Sequence, residues 1–272
     1  MIEVLIDGRE GRLIDCSDRG LQYGDGLFET ISCRAGRPRW LDLHLQRLRT
    51  GCERLRLPFR DFATLRTEIG AVAQGNAPCL VKVVVTRGTA RRRGYAPSGE
   101  ERPTRIVTRH DWPPSAPCEA AGLRLGISPV TLGINPRLAG LKHLNRLEQV
   151  LAQQQRDAAR EDEVLMLSTA GQVIGGSMSN VFFLDQDGLF TPALTDCGVA
   201  GIMRRLVLEA AARLGLTVPE RAVSAAELAG VRAAFVTNVR WGLQPVRQLA
   251  GRELPADTPA QALRETIDAA HP

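Results

Sequence analysis

Lys142 is the residue of this chain whose type and setting point to covalent chemistry. The chain uses arginine for nearly every cation, and its only other lysine is Lys82. Lys142 follows a glycine- and proline-containing approach, residues 133–140. It precedes Leu144, Leu147 and Leu151, whose spacing of three and four predicts an amphipathic helix running to about residue 160. That pattern places the amine on or beside the inner face, just before the first turn. An amine taken out of water loses solvation in its charged form, so its pKa falls and a nucleophilic free amine exists near neutrality. A Schiff-base lysine needs this property.

Three other features suit an anionic partner for that amine. Gly201-Ile202-Met203-Arg204 reads as a glycine-led helix start, where unpaired backbone amides and the helix dipole favour a phosphate group. Asn238 ends an apolar strand pattern, where an amide side chain and a backbone N–H can face a ligand. Arg47 falls on the polar side of a helical pattern together with His44 and can pair with a phosphate dianion. A local concentration of cations, Arg87 with residues 91–93, suits a small carboxylate or phosphate ligand, because guanidinium forks onto such groups.

The elements that must position these residues are legible as alternating strand and helix signals. Residues 2–6 and 12–15 predict a hairpin about Asp7-Gly8. Residues 27–33 predict a strand, and Leu41, Leu45, Leu48, Cys52 and Leu55 mark the apolar face of a helix. A second helix is expected over 62–73, a buried strand over 80–86 and another over 106–108. Beyond a proline-rich stretch come strands at 123–127, 163–167, 173–174, 181–184, 189–190, 233–238 and from 245. Helices are expected at 201–214, 225–228 and 260–269. Strands outnumber helices without a regular βαβ beat, so the fold class is α+β with mixed sheets flanked by helices. The proline-rich stretch predicts the boundary: a smaller N-terminal domain over 1–112, a linker over 113–120, and a larger C-terminal domain over 121–272 carrying the lysine and the phosphate site.

Composition narrows the function classes. The chain has 272 residues, 44% hydrophobic and 24% charged, as in a soluble globular protein. No apolar run is long enough to span a bilayer, and the N-terminus lacks the pattern of a secretion signal. The six cysteines are scattered without a CxxC pair or histidines at metal-ligand spacing, which implies reduced thiols, a cytoplasmic location and no metal. The net charge of +5 invites a nucleic-acid reading, but aromatics are only 4% and the cations are spread along the chain. The expected partner is a small dicarboxylate molecule, with neither nucleic acid nor membrane.

Several blocks together resemble the fold-type IV pyridoxal-phosphate enzymes, the group that holds branched-chain and D-amino-acid aminotransferases and aminodeoxychorismate lyase. They are Tyr23-Gly-Asp-Gly-Leu-Phe-Glu29, His44-Leu-Gln-Arg-Leu48, Lys142-His-Leu-Asn145, Gly176-Ser177 with Asn180-Val-Phe, and Gly201-Ile-Met-Arg204. The resemblance spans nearly the whole length. The block Gly140 to Val150, and Arg93-Gly-Tyr95 after Thr86-Arg87-Gly88, look like the lyase branch. The resemblance implies pyridoxal 5'-phosphate as cofactor, Lys142 as its covalent anchor and proton shuttle, and Arg47 as a phosphate-binding arginine. It implies that Ile202 and Met203 hold the phosphate through their amides, with Asn238 in a second phosphate-contacting loop. It also implies a homodimer.

One position departs from the family pattern. Where the motif carries a glutamate that pairs with the pyridine nitrogen, this chain has Gly175. A protonated pyridine is the electron sink for a carbanion, so its loss should weaken aminotransfer more than an elimination driven by aromatisation. The expected reaction is therefore conversion of 4-amino-4-deoxychorismate to p-aminobenzoate and pyruvate in folate synthesis. The alternative is a D-amino-acid or branched-chain aminotransferase. Arg87, Arg93 and Arg146 are the candidates for the two substrate carboxylates.

Overall fold

The structure is a computed structural model that describes residues 2–89, 94–113, 122–255 and 259–270. Its chain divides into two compact units. One comprises Met1–Pro114 with Lys142–Asn145; the other comprises Ser115–Leu141 with Arg146–Pro272. The sequence places the lysine in the C-terminal domain, whereas Lys142 clusters with the first unit. The substrate candidate Arg93 and nearly all of the proline-rich linker lie outside the described residues.

In the first unit, β1 (Val4–Ile6) and β2 (Arg9–Glu10) form a hairpin, followed by α1 (Arg19–Tyr23), β3 (Gly26–Arg34) and β4 (Arg37–Pro38). Next come α2 (Leu41–Arg54), α3 (Phe62–Val72), β5 (Cys79–Thr86) and β6 (Arg105–Asp111). The hairpin turns at Asp7-Gly8 as expected. Both residues have positive φ, 49° and 81°, the signature of a two-residue turn whose twist matches the strands. Its return strand is Arg9–Glu10 rather than 12–15, because so tight a turn starts pairing at once.

Among the described residues these strands form one six-stranded antiparallel sheet in the order β2-β1-β6-β5-β3-β4. Burial alternates along β5 from Cys79 to Val85, and on β6 Val107 is the buried residue. Val81, Val83, Val85 and Val107 are fully buried, while Lys82 is exposed. The helices supply Leu45, Leu48, Cys52, Leu65, Ile69 and Val72 to the core. Each such side chain contributes about 1.5–3 kcal/mol of burial free energy. Gly51 lets α2 approach β3 closely, since a Cβ there would stand 2.7 Å from Leu27.

The residues after Leu141 do not start a helix. The Phe28 N–H donates to the Lys142 carbonyl at 2.9 Å, and the Leu144 N–H to the Gly26 carbonyl at 3.1 Å. With Leu27 opposite His143, this makes a short antiparallel addition to the edge of β3. The backbone of residues 142–144 is thereby extended, and α4 (Leu147–Ala159) begins only after Arg146.

The second unit holds α4, β7 (Leu123–Ile127), β8 (Glu163–Leu167), β9 (Val173–Gly176), β10 (Asn180–Leu184) and β11 (Leu189–Pro192). It continues with α5 (Ile202–Arg213), β12 (Glu220–Arg221), a 3-10 turn at Ala226–Gly230, β13 (Ala233–Asn238), β14 (Gly242–Leu249), β15 (Arg252–Glu253) and α6 (Ala260–Ala270). Its nine described strands form one mixed sheet, β12-β11-β10-β13-β14-β7-β8-β9, with β15 on β14. β7 pairs in parallel with β14 and β8, and β11 with β12. Leu123, Leu165, Val181, Phe183, Val236, Trp241 and Val246 fill the main core. The expected α+β class with mixed sheets holds. The apolar stripe expected on the helix after the lysine does not turn inward within this chain. Leu147 is 78% exposed, Val150 and Leu151 are each 50% exposed, and Ala152 is the helix's buried residue.

Candidate active site

In the first unit, successive residues of β3 present opposite faces. The ring of Phe28 lies 4.4 Å from Lys142 Nζ, a cation–π distance. Glu29 turns to the helix side, where it is 1% exposed. His44 Nδ1 lies 2.7 Å from Glu29 Oε2, and Arg47 Nε donates to Oε1 at 2.7 Å while its Nη2 donates to Oε2. Burial pushes the Glu29 carboxyl up, yet the charges and hydrogen bonds of Arg47 and His44 bring it down to about 2. His44 is pulled the other way. Burial lowers its pKa, Glu29 opposes this, and Arg47 and Lys142 lower it further. The balance favours the neutral imidazole. It carries its proton on the nitrogen facing the carboxylate, and its Nε2 is buried with no hydrogen-bond partner.

Arg87 has a different place from the one expected. It is 7% exposed. Its Nε and Nη2 fork onto Asp25 at 2.7 and 3.1 Å, while Nη1 and Nη2 donate to the carbonyls of Arg56 and Leu55. Arg19 joins the same carboxylate at 2.9 Å and donates to the carbonyls of Gly94 and Tyr95. Asp25 thus sits between two buried guanidiniums that lock the Gly-Asp-Gly bend. Arg87 is spent on this lock and is withdrawn from the substrate candidates.

In the second unit, α5 starts at Gly201 with no side-chain cap, so the first-turn amides of Ile202 and Met203 have no partner within the helix. Glycine at the start makes room for Asn180, whose Oδ1 a Cβ there would force to shift. Asn180 Nδ2 donates to the Val199 carbonyl at 3.0 Å. Gly140, two residues before the lysine, is stitched to the same segment: its N–H donates to the Gly198 carbonyl and its carbonyl accepts from Ala200. Arg204 anchors α5 from behind through Glu220 at 2.6 Å and the Pro192 carbonyl.

Asn238 is where expected, at the end of β13, but its side chain shapes a turn. Oδ1 accepts from the N–H groups of Arg240 and Trp241, and Nδ2 lies 3.4 Å from the Met178 carbonyl. Gly175 lies on β9, and a Cβ there would stand 3.0 Å from the Ser179 carbonyl, so a side chain needs a shift of a few tenths of an ångström. The following turn rests on Glu163, which is 0% exposed and accepts from the hydroxyls of Ser177 and Ser179 and the N–H of Met178. Arg146 caps α4 and is half-buried. Burial lowers its guanidinium to about 10, with Glu148 partly opposing.

Residue order alone does not single out Glu29 and Glu163, which sit at the edge of or within apolar strand patterns, nor His44, which falls on the polar side of its helical pattern. Glu29 alternates with Leu27 and Ile31 on an inward face, and Glu163 opens the run Val164–Leu167. An acid in such a position must bring its own partners, and that was the available signal.

The class IV amino-transferase model matches residues 26–249. The chain belongs to the class IV amino-transferase family. Within this family it is 32% identical to an aminodeoxychorismate lyase of Vibrio harveyi, over 96% of this chain and 97% of that one. It is 28% identical to a D-alanine aminotransferase of Bacillus licheniformis, over 95% and 92%. The crystal structure of a 4-amino-4-deoxychorismate lyase from Pseudomonas aeruginosa superposes with a TM-score of 0.91, at 42% identity over 98% of each chain. The family's cofactor is pyridoxal 5'-phosphate; taken unit by unit, the Lys142 amine and the Arg47 guanidinium of the first are of the right chemistry for it, and so is the glycine-led start of α5 in the second, where no side chain caps the helix. The fit lapses at Gly175, which offers no carboxylate.

Proposed function

We propose that the chain is a pyridoxal-phosphate-dependent lyase that converts 4-amino-4-deoxychorismate to p-aminobenzoate and pyruvate, a step toward folate. The observation that carries this reading is the 42% identity, over 98% of both chains, to the Pseudomonas aeruginosa lyase. The aminotransferase relative is further away, at 28%. Gly175 points the same way, since elimination to an aromatic ring depends least on a paired pyridine nitrogen.

The bound cofactor supplies an electron sink conjugated to the substrate nitrogen. The chain supplies the rest. Lys142 would hold the cofactor through its amine, and that amine, when free, would take the proton from substrate C4. The C3–O bond breaks, the ring becomes aromatic, and enolpyruvate leaves and takes up a proton to become pyruvate. Atoms balance without water. Arg47 and the amides of Ile202 and Met203 are the groups that would hold the phosphate, and Asn238 would shape its second loop. Arg93 and Arg146 remain the proposed contacts for the substrate carboxylates, and a carboxylate beside the desolvated Arg146 would offset its burial.

We also propose a cytoplasmic homodimer. The exposed stripe of Leu147, Val150 and Leu151 on α4 supports pairing, and no described helix is long and apolar enough to cross a membrane. The test is to supply enzymatically generated aminodeoxychorismate and follow both products. Equimolar p-aminobenzoate and pyruvate, abolished in Lys142→Ala, is the expected result. No release, with amino acids converting the bound cofactor to its amine form, would establish the aminotransferase instead.

A further inference from the structure

The buried trio Glu29, His44 and Arg47 is not used by the reaction just described, except for the last. We infer that Glu29 and His44 are positioning residues for phosphate recognition: the buried carboxylate takes the Nε–Nη2 edge of Arg47 and so aims its Nη1 side, and His44 holds the carboxylate in the one orientation that does so. The inference rests on the reading of Arg47 as a phosphate contact.

The geometry supports a rigid, directional arrangement. Arg47 gives Nε and Nη2 to the two oxygens of Glu29, a bidentate pairing that fixes the plane of the guanidinium. The carboxylate cannot rotate away, because Oε2 is also held by His44 Nδ1 at 2.7 Å. All three groups are withdrawn from water, with side chains 2%, 0% and 15% exposed for Glu29, His44 and Arg47. A long arginine on a helix face ordinarily samples many rotamers, and immobilising it on binding has an entropic cost. Here that ordering is done in advance by folding. The order of the chain serves it too. His44 and Arg47 are one turn apart on α2, so both reach the same inward-facing strand position.

A merely structural salt bridge would raise stability without regard to the ligand. A positioning role predicts a specific loss of preference for the phosphorylated form of the cofactor. The experiment titrates full-length apoprotein with pyridoxal 5'-phosphate and, separately, with pyridoxal, and takes the ratio of the two dissociation constants. In parallel, thermal unfolding confirms folding. Arg47→Ala should lower the preference about 100-fold, and Glu29→Gln about tenfold. His44→Asn should lower it less, because the fork survives. The double variant Arg47→Ala/Glu29→Gln should match Arg47→Ala alone, since Glu29 acts only through the arginine. If Glu29→Gln does not fold, Glu29→Asp keeps the charge but shortens the reach, and it should show the same selective loss.

The outcomes are separable. An unchanged ratio in Arg47→Ala overturns the phosphate reading of Arg47 itself. A lowered ratio there with an unchanged ratio in folded Glu29 variants overturns the positioning role. Additive losses in the double variant also overturn it, because Glu29 would then act without Arg47.

Discussion

The two units order their polar groups by opposite means. The first unit uses ionised side chains taken out of water and paired with one another: Glu29 with His44 and Arg47, and Asp25 with Arg19 and Arg87. The second uses bare backbone, with a glycine opening α5 and amides left without partners. Buried charges are directional but exacting, because losing one partner strands the other in a low-dielectric interior. Backbone amides cannot be mutated away, yet they depend on the absence of side chains around them. The first arrangement is therefore vulnerable to deletion, and the second to addition.

Variants can separate the two strategies. The largest effect is expected at the amine: Lys142→Arg keeps the charge and loses the nucleophile, so p-aminobenzoate release should fall by about 10³-fold or more. Next comes a deletion in the first unit. Asp25→Ala leaves Arg19 and Arg87 buried without their carboxylate and should cost about 3–5 kcal/mol in urea denaturation. Stability retained there would mean that these pairs are solvated in solution.

Acid should distinguish the units as well. The folded carboxyl of Glu29 lies at about 2, below its ordinary value of 4.5, so its contribution is complete above pH 4.5 and is lost as pH falls toward 2. His44 is likewise lowered, so its contribution is complete above its ordinary 6.5 and falls away below it. Glu29→Gln should flatten the stability profile between pH 4.5 and 2, read by thermal unfolding across a pH series.

Addition should injure the second unit instead. Gly201→Ala puts a Cβ against Asn180 and should weaken cofactor binding about tenfold with little change in pH profile, and Asn180→Ala in the same chain should restore part of it. The smallest effect is expected for Gly175→Glu. Its Cβ fits after a slight shift from Ser179, so lyase activity should persist while transaminase side activity rises. No change in either would remove Gly175 from the argument about reaction choice.

The same contrast explains what could be read from residue order alone. Strands such as Cys79–Thr86 and Ala233–Asn238, and the glycine-led helix at Ile202, announce themselves by local pattern and were placed within a residue or two. What failed was whatever depended on a partner far along the chain. His44 reads as polar-face because its acid is 15 residues away on β3. Arg87 reads as a ligand arginine because Asp25 is 62 residues away. The helix after Lys142 begins late because residues 142–144 pair with Gly26 and Phe28. Those pairings are long-range, and no periodicity in a short window contains them.

The edge of β3 also has a consequence for how the chain is made. The first unit is completed by Lys142–Asn145, which emerge only after residues 115–141 have been committed to the other unit. A nascent chain stopped after residue 114 therefore lacks Lys142 and leaves the Phe28 N–H and the Gly26 carbonyl on that strand without these partners. The first unit is therefore not a contiguous N-terminal module. Its last hydrogen bonds wait until synthesis has passed the midpoint of the protein, so a product truncated before residue 142 carries an open strand edge at Gly26–Phe28.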